Sequence, residues 1–148
     1  MRIALALVFL FTGCATYTYE SPLAAIGMEP LPKACPSSGG NVPVDLVVRN
    51  NGQEALRLYV RPEPSRPPYR LSWLSYDIQN DQGIFEHGPG GHGPLPQKEL
   101  VVAPGDAVRV TAYVYDLELK DYSSRFVVQI TDLAGREYSS PVFVLCRT

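Results

Sequence analysis

The sequence predicts an all-β domain, a two-sheet sandwich of about seven or eight antiparallel strands. Three observations carry the prediction. From Val42 onward, apolar and polar residues alternate in short runs, the period of a strand buried on one face. Fourteen prolines and twelve glycines punctuate the 148 residues, a density that suits many turns and few long helices. Only Asp116–Tyr122 reads as a helical turn. At roughly 150 residues per domain, the length fits a single domain. The chain is 45% hydrophobic and 19% charged, ordinary for a globular protein and too apolar for a wholly disordered one. Thirteen basic residues face fifteen acidic ones, a net charge of -2, so the electrostatic footprint of a nucleic-acid binder is missing.

Each strand is justified by its own pattern. Val44, Leu46 and Val48 alternate with Asp45 and Arg49 before Asn50-Asn51-Gly52 turns the chain. Leu56, Leu58 and Val60 alternate with Arg57, Tyr59 and Arg61. Leu71–Gln79 forms a third run around Trp73, Leu74, Tyr76 and Ile78, closed by Asn80-Asp81-Gln82-Gly83. Ile84–Glu86 is a short return strand. Leu100–Val102 leads into Ala103-Pro104-Gly105-Asp106, with proline and glycine at their expected turn positions. Val108, Val110, Ala112 and Val114 face one way, and Arg109, Thr111, Tyr113 and Tyr115 the other. Phe126, Val128 and Ile130 repeat the scheme before the turn Asp132-Leu133-Ala134-Gly135. A last strand runs through Val142–Leu145 into Cys146. Trp73 is expected in the core, packed against a disulfide. The set matches an immunoglobulin-like domain in size.

Two of these phrases carry a family resemblance. Val47-Val48-Arg49-Asn50-Asn51-Gly52 precedes Leu56-Arg57-Leu58, and Leu100-Val101-Val102-Ala103-Pro104-Gly105-Asp106 precedes Val108-Arg109-Val110. They resemble the turn-and-strand pattern of bacterial extracytoplasmic immunoglobulin-like domains. That group includes the BsuPI-type proteinase inhibitors and many lipoprotein adhesion or accessory modules. The shared motifs are turn chemistry, so the resemblance implies an immunoglobulin-like fold and does not select a function.

The N-terminus reads as an address. Met1-Arg2 supplies a positive start, and the apolar run Ile3–Phe11 is too short to span ~30 Å of hydrocarbon but suits a signal-peptide core. It ends in Phe11-Thr12-Gly13-Cys14, which resembles the lipobox of bacterial lipoproteins. That resemblance implies a signal peptide over residues 1–13, a lipidated Cys14 at the mature N-terminus, and anchoring to a membrane without spanning it. Ala15 in place of Asp implies the outer membrane, with a periplasm-facing domain; the inner membrane and the cell surface are the other destinations. The bland alternative is an ordinary secretory signal with an incidental cysteine. Residues 14–40, with Pro22, Pro30, Pro32 and Pro36 and the run Ser37-Ser38-Gly39-Gly40, read as a tether, and residues 41–148 as the sandwich. Of the three cysteines, lipid takes Cys14. Cys35 and Cys146 are then an even pair that most simply forms a disulfide in an oxidising compartment, the alternative being two buried thiols. Closing a loop of roughly 110 residues would stabilise by ~4–5 kcal/mol.

Catalytic signatures are missing. There is no G-x-S-x-G elbow, no phosphate-cradling loop and no dinucleotide fingerprint. Asp116, Glu118 and Asp121 look like a solvated loop. No enzyme activity and no cofactor are expected. His87 and His92 share a glycine-rich loop with Glu86, weak candidates for Zn or Cu; a good site needs a third or fourth ligand held in place, and none is visible. Surfaces are more promising. Residues 61–70 hold Arg61, Arg66, Tyr69 and Arg70 among prolines that pre-order the loop, and Arg and Tyr are typical interface anchors. Tyr113 and Tyr115, with Tyr59, form a candidate aromatic patch, although outward tyrosines also serve as strand formers. The partner-binding candidates are therefore Arg61, Arg66, Tyr69, Arg70, His87, His92, Tyr113 and Tyr115. They point to a monomeric, membrane-anchored module that binds a protein of the envelope and no nucleic acid. Its expected role is a blocker of an envelope-acting enzyme, of the immunity-protein or inhibitor type. The alternatives are an accessory subunit of an envelope assembly or secretion machine, and a metal- or glycan-binding lipoprotein.

Overall fold

A computed structural model describes residues 25–31, 33–88 and 96–147. Residues 1–13, read above as a signal peptide, Cys14 and His92 lie outside the described residues. Among the described residues the chain is all-β, with thirteen strand segments and one short 3₁₀ helix. Four strands form one sheet in the order β1 (Ile26–Leu31), β3 (Gly40–Asn50), β9 (Ala107–Leu117), β5 (Tyr69–Arg70). A second sheet runs β11 (Glu137–Ser139), β10 (Arg125–Thr131), β6 (Leu74–Gln79), β7 (Phe85–His87), with β12 (Phe143–Val144) also on β10. Two short pairs complete the set: β4 (Leu56–Val60) with β8 (Lys98–Val102), and β2 (Lys33–Ala34) with β13 (Cys146–Arg147). This arrangement of sheets around one core is consistent with a β-sandwich.

The alternating residues meet in a single core cluster. Leu46 and Val48 of β3, Leu58 and Val60 of β4, Tyr76 of β6, Val110, Ala112 and Val114 of β9, and Phe126, Val128 and Ile130 of β10 are all buried. Each large aliphatic among them gains about 1.5–3 kcal/mol from leaving water. Tyr76 fills the centre, tilted against Phe126 at 6.5 Å between ring centroids. Its hydroxyl donates to the Tyr115 carbonyl across the two main sheets at 2.9 Å.

Several expectations are corrected. The segment read as tether already belongs to the sheet: β1 pairs in antiparallel register with β3, from Ile26 opposite Asn50 to Leu31 opposite Asp45, and buries Ile26 and Met28. Pro30 is tolerated because β1 is an edge strand, where a missing N–H costs no ladder bond. The expected seven or eight antiparallel strands become thirteen segments, and two pairings, β5 with β9 and β13 with β2, are parallel. Segments of two residues are too short for a period to reveal. The last expected strand is broken at Leu145, which turns into the core between β12 and β13. The helical turn expected over Asp116–Tyr122 is the 3₁₀ helix Leu119–Ser123, closed at its start by a capping box between Glu118 and Asp121. Cys35 and Cys146 are joined in a disulfide 111 residues apart in sequence, beside the buried Tyr122, whose hydroxyl donates to the Ser38 carbonyl.

The two turn phrases converge on one side chain. Asn50 is fully buried; its amide nitrogen donates to the Val102 carbonyl at 2.9 Å and the Glu54 carbonyl at 2.8 Å, and its oxygen accepts from the Gly52 N–H at 3.0 Å. Its backbone bonds Asp106 and Gly105, where Gly105 takes the left-handed φ of 84° that the turn demands. Asn50 thus fastens the β3–β4 turn to the β8–β9 turn. Replacing it by Ala strands the buried Val102 carbonyl and the partly buried Glu54 carbonyl and Gly52 N–H, so Asn50→Ala is expected to lower unfolding free energy by about 2 kcal/mol. Urea denaturation checks this; a loss below about 1 kcal/mol would show that those bonds are replaced by water.

Candidate functional site

Strand β5 is only two residues long, yet through it the four-stranded sheet is joined to the β4–β8 pair. On one side Tyr69 and Arg70 pair with Val110 and Thr111 of β9, and the Leu71 N–H donates to the Thr111 carbonyl at 3.0 Å. On the other side Arg61 N–H donates to the Arg70 carbonyl at 2.8 Å and Ser72 N–H to the Tyr59 carbonyl at 3.0 Å, flanking a bridge between Val60 and Leu71. The backbone therefore runs continuously from β1 across to β8. Because side chains alternate across a strand, Val60, Leu71 and Val110 go to the core. Tyr59, Arg61, Arg70, Tyr113 and Tyr115 share the outer face.

That face carries a linked set of aromatic and cationic groups. The Arg70 guanidinium lies 4.3 Å from the centroid of the Tyr113 ring, and Tyr113 stacks with Tyr115 at 6.3 Å. Trp73 and Tyr59 meet at 5.0 Å; on the other side of the same strands, at the edge of the core, the Lys98 ammonium approaches the Tyr69 ring at 5.2 Å. A cation over an aromatic face contributes roughly 0.5–1 kcal/mol where water has access, enough to hold these rings in place. Arg61 and Arg70 line a cleft of about 340 Å³ with Pro62, Glu63 and Pro96. The expectation for Trp73 is corrected here. It is 38% exposed and lies on Tyr59, away from the disulfide, because Leu71 and Leu74 on either side take the core positions.

One carboxylate of this face, Asp45, is buried. Asp45 accepts from the Thr111 hydroxyl at 2.8 Å and pairs with Lys33 at 2.9 Å, with Arg109 at 3.9 Å. Burial pushes the Asp45 carboxyl up, but the bonds from Lys33 and Thr111 and the charges of Lys33 and Arg109 outweigh it, and the net shift is downward. Asp45 was no candidate in the sequence, where it reads as one outward residue of an alternating strand. Only the partners brought by β2 and β9 mark it.

The histidine loop lies elsewhere, at the β7 edge of the second sheet. His87 Nδ1 lies 3.0 Å from Asp77 Oδ1, whose other oxygen accepts from Gln129. Glu86 accepts from the Asn80 side chain at 2.7 Å. Both residues line an open cavity of about 820 Å³ with Lys120, Asp121 and Arg125. Among the described residues no group of three His, Cys, Asp or Glu side chains could hold a metal ion, and His92 is not among them. Gly88, which begins the glycine run, packs on the Tyr76 ring so closely that a Cβ there would overlap it. Arg66 is exposed in the β4–β5 loop. The structure thus brings together Arg61, Arg70, Tyr113 and Tyr115, turns Tyr69 to the opposite side of β5 against the core, and separates His87 and Glu86 from them.

Asp45 carries a pH dependence with a definite sign. A carboxyl held below its unfolded value, ~3.9, contributes its full stability above that pH and loses it as pH falls through the lower folded value. The stability gap between the protein and Asp45→Asn is therefore expected to be widest near neutrality and to narrow below about pH 4. Denaturation curves between pH 7 and pH 2 test this, and a gap that stays constant would assign Asp45 no ionic role.

No helix among the described residues is long and apolar enough to cross a membrane. No family model matches the chain, and no curated protein matches it. Two solved structures show weak likeness. One is a Northeast Structural Genomics Consortium target known by X-ray structure, 13% identical with a TM-score of 0.43, covering 82% of this chain and 83% of that one. The other carries the name ApaA protein from Bordetella pertussis; it is 14% identical with a TM-score of 0.39, covering 83% of this chain and 92% of that one. Likeness at this level carries no argument about either fold or function.

Proposed function

We propose that the chain is a lipid-anchored, non-catalytic protein-binding module of the bacterial envelope, an immunoglobulin-like sandwich that blocks an envelope-acting enzyme. The observation that carries the reading is the outer face formed by Tyr59, Arg61, Arg70, Trp73, Tyr113 and Tyr115. Arginine, tyrosine and tryptophan are the residue types that dominate interface energetics. Tyr59, Arg70, Tyr113 and Tyr115 stand on strands, and contacts join Arg70 to Tyr113, Tyr113 to Tyr115 and Tyr59 to Trp73, so docking costs little further side-chain entropy. Beside them residues 61–70 project Arg66 from the face, the form a cleft-blocking loop needs. The lipobox-like Phe11-Thr12-Gly13-Cys14 supplies the anchor and, with Ala15, the outer-membrane, periplasm-facing placement.

Two measurements test the reading. Cells fed a labelled fatty acid should label the chain, and Cys14→Ser should abolish the label; a labelled serine variant would remove the anchor from the proposal. The full chain in non-ionic detergent, used as bait for the host's envelope extract, should retain one stoichiometric partner and inhibit its hydrolase activity. Arg70→Ala and Tyr113→Ala should each weaken that binding by about tenfold, or ~1.4 kcal/mol. Retention of several components of one envelope machine, unaffected by both variants, would replace the blocker with an accessory subunit.

A further inference from the structure

We infer that Asn51 is a site of slow, spontaneous deamidation by water, and that the Asn50 side chain sets its rate. Asn51-Gly52 is the single asparagine–glycine pair in the sequence. Asparagine is among the thermolabile residues, and a glycine after it, having no Cβ, leaves its own backbone nitrogen unhindered as a nucleophile. In the reaction the Gly52 nitrogen gives up its proton and attacks Asn51 Cγ. A C–N bond forms, the bond from Cγ to the side-chain nitrogen breaks, and that nitrogen leaves with the proton as ammonia. Water then opens the five-membered imide at one of its two carbonyls. The product is aspartate, or isoaspartate with the main chain rerouted through the side-chain carbons, and no electrons are exchanged. Asn51 is exposed at the β3–β4 turn, where water reaches it. The inference stands apart from the partner-binding reading.

The fold restrains the attack at its nucleophile. The Gly52 N–H donates to Asn50 Oδ1 at 3.0 Å, so losing the proton means losing that bond. Asn50 is itself locked, since its amide holds the Val102 and Glu54 carbonyls and its backbone bonds Gly105 and Asp106. From the other side the Asn51 N–H donates to the Ala25 carbonyl at 2.7 Å, which fixes the residue under attack. The side chain that fastens two turns therefore also keeps the proton on the attacking nitrogen. The consequence falls on β1. The Asn51 side-chain nitrogen lies over Gly27, 3.3 Å from where a Cβ there would stand, so deamidation sets a carboxylate against the edge strand. Isoaspartate also adds one atom to the main chain between the Asn51 and Gly52 nitrogens. The bonds to Ala25 and Asn50 then no longer fit together, and β1 loosens at its start.

The full chain in non-ionic detergent is aged at about 37 °C and pH 8. Trypsin, which cuts after Arg49 and Arg57, then releases residues 50–57 for mass spectrometry. Asn51 is expected to gain about 1 Da over days to weeks while Asn50 stays intact. The urea-unfolded chain should react at least about tenfold faster than the folded one, and folded Asn50→Ala at least about threefold faster. Asn50→Asp, which keeps an acceptor for the Gly52 N–H, should react more slowly than Asn50→Ala. Val128→Ala, a cavity in the core cluster, should keep the native rate, which separates loss of the hydrogen bond from loss of stability. An Asn51 that stays intact when unfolded, equal rates in folded and unfolded chains, an Asn50→Ala rate no faster than native, an Asn50→Asp rate equal to that of Asn50→Ala, or equal acceleration by Val128→Ala would each overturn the inference. Hydrogen exchange reads the consequence. The β1 amides should exchange faster in the isoaspartate form than in Asn51→Asp, which adds the charge alone, and equal exchange would overturn the effect on β1.

Discussion

Three backbone hydrogen bonds around Tyr69–Ser72 hold the functional architecture together. They tie β5 to β4 on one side and to β9 on the other. A two-stranded hairpin alone is marginal in water, and β4–β8 would be such a ribbon without this connection. With it, Val60, Leu71 and Val110 bury together beneath the sheet, and the side chains on the opposite surface become neighbours. The aromatic–arginine face is therefore a product of backbone pairing across elements that are distant in sequence. No stretch of chain contains it whole.

Much of the core was legible in the sequence because it is periodic. Val110, Ala112 and Val114, and likewise Phe126, Val128 and Ile130, face inward as alternation requires, and every one is buried. The cysteine pairing followed from counting. Departures fall where a local rule met a competing one. Pro30 looks like tether, yet an edge strand accommodates proline, so β1 went unread. Two-residue strands carry no period, so β5 was invisible although Tyr69 and Arg70 were singled out as surface anchors. Trp73 looked like core by size, but Leu71 and Leu74 claim the inward positions beside it. For the candidate site, the residue types were readable and their grouping was not. Arg61 and Arg70 were placed in one loop, and Tyr113 and Tyr115 on one strand, whereas their contact depends on a parallel pairing that only the folded chain makes.

Buried polar groups organise the corners of the molecule much as apolar ones organise its middle. Asn50 joins two turns. At the β10–β11 turn, Asp132 is 1% exposed and accepts from the Ala134 and Arg136 backbone, the Arg136 side chain and the Tyr138 hydroxyl. Burial raises its carboxyl, and those bonds more than compensate, leaving it below the ordinary carboxylate range. Arg136 reaches on to Glu54 at 3.4 Å, so the β10–β11 turn is laced to the β3–β4 turn. Each of these groups would be a liability unpaired in the interior; fully paired, they determine which turn meets which.

Under the proposed lipid anchoring, which would hold the chain to a surface by its N-terminal side, the disulfide has a mechanical consequence. Tension arriving along the chain reaches β1 first, and an edge strand can be peeled from its neighbour one hydrogen bond at a time. Peeling stops at Cys35. There the load divides, one path continuing into β3 of the first sheet and the other crossing the sulfur bridge to Cys146, from which the chain leads back to β12 and β10 of the second sheet. The two sheets are thus pulled together as one body, and β9, β5 and β4, which carry the aromatic–arginine face, lie inside the covalent loop, behind the clamp. Under that proposal, a bound partner would be tugged against the membrane without loosening the face that holds it.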